Sequence, residues 1–534
     1  MYPSLGGWDV PLARSTLPDL LARAVAAHGP RVAIEFDGRT ISYAELGARV
    51  TDAAARLAGA GVRPGEVVGL LAGNTPEQPV AFFALLQAGA IVAQLSPLDP
   101  PMAMARKLAD LGARRLVTTS STTMIAVAAQ LISDGAIDSV VVLGAPPDLL
   151  GASGKGEGQF SGMIALDSLP LATPRPARGV DDVAVLQFTG GTTGQPKAAM
   201  LTHGNLTAAV SAYDQFNAAP QRRIHPGDRV MAVLPLFHIY ALTAVLLRTL
   251  HAGATLMLRA RFDPVVALDD IESGCTHFYG VPTMWIVLVN HPGAAARDWS
   301  RLRIASSGGA SLPPEISARM HAMSGLTLGG GWGMTETSPA GTNLLPDCVH
   351  APGLIGVPLP GVDVQIVALD DPRRVLPPNQ AGELRIRGPN VTSGYWNRPE
   401  DNAAAFVDGW FLTGDIGTMA ADGQFTLVDR KKEMLISGGY NVYPRVIEDA
   451  IHEHPDVHEA AVIGVPDPYR GQAAKAFVSL RPGAGKLTLG ELRDFLAPRL
   501  GRHELPAQLE VLDELPHTPV GKLAKLKLHK GSLT

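Results

Sequence analysis

The sequence predicts an α/β protein: a large N-terminal domain of layered parallel sheets flanked by helices, closed by a small β-rich subdomain and followed by a small α+β C-terminal domain. Three observations predict it. Over residues 17–268, short β-branched runs alternate with Ala/Leu-rich stretches of helical spacing, as at 67–71, 79–88 and 91–95. Such a strand, helix, strand repeat belongs to parallel sheets covered by helices, with sites at the carboxyl ends of the strands. After Ile355 the pattern changes to short alternating strands at 362–368, 382–387 and 424–429, separated by turns rich in proline and glycine. At 429–444 the run DRKKEMLISGGYNVYP sets a charge cluster beside a double glycine, and beyond it a helix, a strand and another helix form a compact tail. The domain boundary is therefore placed there, giving an N-terminal domain over 1–429 and a C-terminal domain over 430–534. The Gly/Ser-rich piece at 151–162 reads as a surface loop, and no internal repeat is found.

Composition narrows the class of function. With 534 residues, 46% hydrophobic and 18% charged, the chain can bury a large core. Its 45 basic and 50 acidic side chains give a net charge of −5, which offers no overall attraction for nucleic acid or an anionic membrane, so small-molecule partners are expected. The two cysteines, Cys275 and Cys348, indicate neither a disulfide framework nor a zinc cluster, and a reducing cytoplasm fits them best. Residues 1–14 lack the pattern of a secretory signal, and the apolar region at 80–95, interrupted by Gln87, Gly89 and Gln94, is too short to span a bilayer. The histidines of IHEHPDVH, His452, His454 and His458, lie at a polar helix end broken by Pro455 and are read as solvated rather than as metal ligands. No GxSxG elbow and no GxGxxG loop occurs, which argues against an esterase or a dehydrogenase.

Four stretches carry chemistry. FTGGTTGQPK at 188–197 follows the apolar run 183–186, and its glycines and threonines let backbone N–H groups and hydroxyls approach phosphate oxygens, with Lys197 adding charge. Pro196 breaks the GxxxxGK[ST] spacing, so this is not a Walker A loop; taken alone it reads equally as a hinge between elements. GWGMTET at 331–337 sets an acidic residue beside a hydroxyl, a pairing suited to Mg²⁺ shared with phosphate oxygens; alone it is also a glycine-rich turn ending in a helix cap. WFLTGD at 410–415 ends in a carboxylate, whose acceptor oxygens suit a vicinal diol. LPHTPVGKL at 515–523 carries Lys522 in a TPxGK context, without which the run Lys522, Lys525, Lys527 would read as a solvated face.

Over 41–525 these motifs, in this order, resemble those of the acyl-adenylate-forming superfamily: acyl-CoA synthetases, adenylation domains of peptide synthetases and beetle luciferase. The resemblance implies an ATP-dependent acid:CoA ligase that adenylates a carboxylic acid, releases pyrophosphate and passes the acyl group to coenzyme A, with Mg²⁺. By the same resemblance Thr189, Gly190, Gly191, Thr192, Thr193, Gly194 and Lys197 cover the β- and γ-phosphates. Thr335 meets the α-phosphate, Glu336 the metal, and Trp332, where Tyr is more usual, stacks on adenine within Gly331, Gly333 and Met334. Gly309, Ala310 and Ser311 fall on the nucleotide side. Asp415 and Arg430 match the ribose-binding pair, and Lys522 the catalytic lysine, which neutralises charge as the carboxylate attacks the α-phosphorus.

The family turns its small C-terminal domain between half-reactions; Lys432 matches the hinge, and Ser437, Gly438 and Gly439 of SGGYN would line the pantetheine channel. In LPLFH at 234–238, His238 matches a histidine bordering the acyl site, with a gating or positioning role, although a lone histidine after apolar residues is also an ordinary packed group. Peptide-synthetase domains carry an Asp there to hold an amino group, so an amino acid substrate is disfavoured. The other acyl walls are expected at 279–282, 307–310 and 328–331. Glycines at 308, 309, 329, 330 and 331 would leave room for an extended chain, so a medium- or long-chain fatty acid is expected, with aromatic or dicarboxylic acids as alternatives. Nine residues follow Lys525, so no fused carrier domain is expected, and a ligase that delivers the adenylate to a carrier protein stands as a second reading beside transfer to free CoA. The oligomeric state is left open, a homodimer included.

Overall fold

The computed structural model describes residues 11–144, 162–174, 179–189, 196–310, 312–346, 348, 351–437, 440–468, 470–517, 523–525 and 527–528. The expected loop at 151–162 lies outside them except for Gly162. The first sheet runs, edge to edge, Met163–Ala165, Ser139–Leu143, Arg115–Thr119, Val67–Leu71, Ile91–Leu95, Val183–Thr189, Lys197–Thr202. All neighbours are parallel except the last pair. Val67–Leu71 and Ile91–Leu95 are buried along their whole length, as continuous apolar strands covered on both faces must be. The helix between them, Glu77–Gln87, is buried from residue 78 to 86. Being apolar on every side, it belongs in an interior, and it shares one core with the first sheet and with Val230, Ala232 and Leu256 of the second.

The second sheet is larger. Parallel strands Gly329–Trp332, Ile304–Ser307, His277–Gly280, Arg229–Ala232 and Thr255–Leu258 follow one another, and Val32–Phe36 and Arg39–Ser42 close one edge. On the other side, Thr342–Asn343 pairs antiparallel with Gly329–Trp332 and hands the sheet on to Leu354–Pro358, Phe425–Arg430, Trp410–Met419, Gly382–Arg387 and Asp363–Val367. The β-rich subdomain expected after Ile355 is these antiparallel strands, joined to the edge of the parallel sheet through Thr342–Asn343. Two-residue Thr342–Asn343, the bridging strand, is too short for any periodicity to reveal.

The C-terminal part holds more strand than the expected helix, strand, helix. Its sheet joins Tyr440–Val442, Leu435–Ser437, Gly471–Leu480, Val457–Asp467 and Gln508–Val511, with helices Pro444–His452 and Leu489–Leu496 packed on it. The alanine-rich GQAAKAFVSL is a ten-residue strand because every residue finds a rung on Val457–Asp467 or Gln508–Val511, and that pairing overrides its weak local preference. Among the described residues no helix is long and apolar enough to cross a membrane.

Candidate active site

Thr189 and Lys197 face each other in the rung of the Val183–Thr189 and Lys197–Thr202 pair that lies nearest the glycine-threonine run in sequence. Gly190, Gly191, Thr192, Thr193 and Gly194 lie outside the described residues. Lys197 forms an ion pair with Asp401, and its ammonium lies 5.4 Å from the centre of the Tyr395 ring.

The GWGMTET motif is shaped by what surrounds its glycines. A Cβ on Gly331 would lie 2.3 Å from the Thr342 carbonyl oxygen, and one on Gly333 only 1.3 Å from that of Pro339. Backbone therefore occupies the space, and the chain turns sharply into the 3₁₀ segment Thr335–Thr337, where the Met334 N–H donates to the Thr337 hydroxyl at 3.0 Å. The turn carries Glu336 inward, where it is 4% exposed and accepts a 2.8 Å hydrogen bond from the Tyr395 hydroxyl. Burial pushes the Glu336 carboxyl above the usual carboxylate range, against the pull of Tyr395 and Arg430. Burial and the neighbouring Glu336 push the Tyr395 hydroxyl up as well.

Asp415 and Arg430 stand opposite each other in adjacent antiparallel strands, with Arg430 Nε 2.5 Å from Asp415 Oδ1. The second oxygen, Oδ2, accepts the Trp332 indole N–H at 2.7 Å. Asp415 is 2% exposed, and burial raises its pKa while Arg430 and Trp332 favour the charged form. Trp332 is itself buried and packs its ring on Gly341, where a Cβ would come within 2.4 Å. Next along the chain, Lys431 pairs with the buried Glu383 at 2.6 Å. The pKa of exposed Lys432 is lowered by desolvation and then by Lys197 and Arg430, while Asp401 and Glu336 act the other way. Three cations and two carboxylates from four separate stretches of chain therefore surround one place.

On the acyl side, the Tyr240 N–H donates to His238 Nδ1 at 3.3 Å. The glycine at 308 does not leave the space expected of it: a Cβ there would lie 2.8 Å from the Tyr240 ring, so the phenol fills the place. Gly331, likewise expected to leave room, has it filled by Thr342. Gly309 adopts φ +80°, a conformation that favours glycine, and Ala310 is exposed. Ser311, Gly438 and Gly439 lie outside the described residues. Ser437 is 1% exposed in strand Leu435–Ser437.

Lys522 also lies outside the described residues, but both ends of its loop are held: His517 and Leu523 form an antiparallel bridge, and the Ala524 N–H donates to the Pro516 carbonyl at 2.7 Å. Lys525, read with its neighbours as a solvated face apart from the motif, is instead half-buried and held in ion pairs with Glu433 at 2.6 Å and Glu448 at 2.8 Å. No group of His, Cys, Asp and Glu able to hold a metal by itself occurs among the described residues; His452 and His454 are engaged with the Glu448 carbonyl and the Phe495 ring. Cys275 is buried, which pushes its thiol up to about 12. Sequence reading missed Tyr395, Asp401, Glu383 and the tie between Trp332 and Asp415. The only signal for Tyr395 and Asp401 was a short polar run, GYWNRPED at 394–401.

The family description "AMP-binding enzyme" matches residues 21–396, and "AMP-binding enzyme C-terminal domain" matches 446–522. The chain is 33% identical to a long-chain-fatty-acid–CoA ligase of Bacillus subtilis, over 99% of this chain and 96% of the relative. It is 36% identical to a feruloyl-CoA synthase of Amycolatopsis sp, over 98% and 97%. The structure of ATP-bound MatB from Rhodopseudomonas palustris superposes with a TM-score of 0.84 at 29% identity, covering 97% of this chain and 99% of that one.

Proposed function

The chain belongs to the AMP-binding enzymes and is an AMP-forming acid:CoA ligase, and from that premise we propose how its residues divide the work and which acid it takes. The observation that carries the reading is the grouping of Lys197, Arg430 and Lys432 with Glu336 and Asp401, Arg430 being paired in turn with the buried Asp415. In the first half-reaction a carboxylate oxygen of the acid attacks the α-phosphorus of ATP and pyrophosphate leaves. Lys197 and the 189–194 loop hold the outgoing phosphates, and Asp415, fixed by Arg430 and Trp332, receives the ribose hydroxyls. The Thr335 hydroxyl donates to the α-phosphate, and Lys522 balances the charge that develops there. Glu336 offers a hard oxygen donor that fits Mg²⁺, because a carboxylate this deeply buried is stabilised by a cation beside it. When bound, the ion neutralises phosphate charge.

In the second half-reaction the CoA thiolate attacks the acyl carbonyl and AMP departs. Ser437, Gly438 and Gly439 border the thiol channel, and Lys432 is the pivot between an N-terminal unit over 1–429 and a C-terminal unit over 430–534. For the acid, the phenol of Tyr240 over Gly308 and that of Tyr279 at the end of His277–Gly280 support an aromatic body. The relative that ligates long-chain fatty acids supports a fatty acid as the second reading. Pyrophosphate release from ATP and Mg²⁺, measured across aromatic, linear and dicarboxylic acids with and without CoA, tests this. An aromatic acid should release pyrophosphate and yield its thioester only when CoA is added. Adenylate without thioester would point to a carrier protein as acceptor, and a linear acid as best substrate would favour the second reading.

A further inference from the structure

Lys197 opens the strand Lys197–Thr202, and the chain from Gly394 to Asn402 lies against that strand. The Met200 N–H donates to the Gly394 carbonyl at 2.8 Å and the Trp396 N–H to the Ala198 carbonyl at 2.9 Å, with Ala199 and Tyr395 in an antiparallel bridge. Asn402 folds helix Pro399–Ala405 back on Tyr395, its Oδ1 accepting the Tyr395 N–H at 2.6 Å and its Nδ2 donating to the Tyr395 carbonyl at 2.9 Å. Arg398, just before the helix, pairs with Asp110 at 2.6 Å. These ties fix Asp401, in the first helical turn, with its carboxylate on the Lys197 ammonium. Among the described residues it is the only carboxylate paired with Lys197. The other pairs around the site are of a different kind. Asp415 holding Arg430, Glu383 holding Lys431 and Glu448 holding Lys525 have side chains no more than 11% exposed, and a carboxylate so buried loses its cation only at a large penalty. Lys197 and Asp401 keep 23% and 35% of their side chains exposed, so the carboxylate can return to water and a polyphosphate can reach the ammonium.

We propose that Asp401 is a positioning residue for pyrophosphate release: it competes with the β- and γ-phosphates for Lys197 and takes the ammonium back as pyrophosphate leaves. The proposal rests on the reading that Lys197 holds the outgoing phosphates. An ammonium is a compact point charge with a single net charge to share. Phosphates that draw it to themselves leave the Asp401 carboxylate to be hydrated again, and that cost is set against every ligand that carries the two outer phosphates. AMP carries only the α-phosphate and does not meet it. ATP keeps further holds, with Asp415 for its ribose and Trp332 for its base, so a weaker grip on its outer phosphates is tolerable. Pyrophosphate has neither sugar nor base, so the competition bears on it most once the bond to the α-phosphorus is broken. The carboxylate thereby loosens the one product that depends on Lys197 and its loop.

The test is isothermal titration of the whole chain with magnesium pyrophosphate, magnesium ATP and AMP, in the absence of acid and CoA. Asp401→Asn has no charge to offer Lys197 and should bind pyrophosphate about 3- to 10-fold more tightly, between the scale of an exposed ion pair and that of a hydrogen bond to a charged group. ATP should shift in the same direction and AMP should not shift. Pyrophosphate should become a stronger inhibitor of thioester formation by the same factor. Asp401→Glu, which keeps the charge, should bind pyrophosphate as the wild type does. In a Lys197→Met background, Asp401→Asn should no longer tighten pyrophosphate, because the two residues act as one unit. A gain in affinity cannot come from a misfolded variant. Unchanged or weaker pyrophosphate binding in Asp401→Asn overturns the proposal, and weaker binding would mean that Asp401 aims Lys197 at the phosphates. A gain that persists without Lys197, or an equal gain for AMP, also overturns it, since Asp401 would then act only as a repelling charge. Pyrophosphate binding to Lys197→Met as tight as to the wild type would instead sink the reading of Lys197, and this proposal with it.

Discussion

Asp415 has both oxygens engaged before any substrate arrives, one by Arg430 Nε and one by the Trp332 indole. A tyrosine at 332 has no donor at the indole N–H position, so the tryptophan adds a hold on the carboxylate proposed to receive ribose. Trp332→Phe keeps a ring in the core and removes only that donor. It should raise KM for ATP by about 10-fold or more, the effect of a lost hydrogen bond to a charged group, and leave the KM for CoA nearly unchanged. Steady-state kinetics with each substrate varied in turn would check this, and an unaltered KM for ATP would mean that Arg430 alone suffices. Residue identity also shows where sequence reading stopped. Asp415 and Arg430 were legible because their motifs resemble, in order, those of the acyl-adenylate-forming superfamily, and sheet register sets the two side by side. The Trp332 contact was not, since it joins positions 83 apart through sheet register, which spacing does not encode. Tyr395 and Asp401 escaped for the same reason.

At the scale of the element, the GWGMTET strand and turn are set by backbone crowding. The contact that a Cβ on Gly333 would make with Pro339 is far inside van der Waals range and involves backbone rather than a flexible side chain. Gly333→Ala should therefore open the turn that carries Glu336, costing about 3 kcal/mol or more in stability and abolishing pyrophosphate release. Gly325→Ala, in a helix cap with nothing near its Cβ but φ +73°, should cost only about 1 kcal/mol and keep activity. Thermal midpoints and pyrophosphate release for the two variants provide the comparison; equal losses would show that crowding at Gly333 is relieved by small shifts. The glycine run itself was plain in the sequence. What the sequence hid was the reason for it: at 308 and 331 the missing side chains admit Tyr240 and the Thr342 backbone rather than the acyl group. The same limit applied to the fold, where long parallel strands were readable from apolar runs but the two-residue Thr342–Asn343 bridge was not.

Across the whole molecule, residues 429–433 tie one part of the chain to the other. Arg430 and Lys431 are held by Asp415 and Glu383, whereas Asp429 accepts the Arg445 N–H at 2.8 Å and Glu433 pairs with Lys525. If the pivot is Lys432, the Asp429 contact crosses it and must break on rotation, while the Glu433 contact travels with the C-terminal unit. Burial pushes the Asp429 carboxyl up to about 6. The fold then keeps a proton that the unfolded chain releases, so this group's contribution to stability falls as pH rises from about 4 to about 6, by about 3 kcal/mol. Asp429→Asn lacks that titration: its stability relative to wild type should rise across this window, and thermal midpoints of both proteins from pH 4 to 8 would show it, parallel curves counting against it.

Lys525 bears on the chemistry itself. It lies three residues beyond Lys522, whose loop is closed by the bridge between His517 and Leu523, and it anchors that loop to Glu433, next to the pivot. Lys522 is proposed to act only in adenylation, so a loop set loose should slow the first half-reaction and spare the second. Lys525→Met should therefore depress pyrophosphate release by about 10- to 100-fold, the scale of a misplaced catalytic group, while thioester formation from preformed acyl-adenylate and CoA stays within about 3-fold of wild type. Lys525→Arg, which keeps the charge for Glu433 and Glu448, should restore most of the first step. Removing one member of a buried ion network also threatens stability, but an unfolded C-terminal unit would lose both half-reactions together, since the thiol channel lies there too. Equal loss of the two would thus reduce Lys525 to a support of the fold, and loss of adenylation alone would tie it to the placement of Lys522.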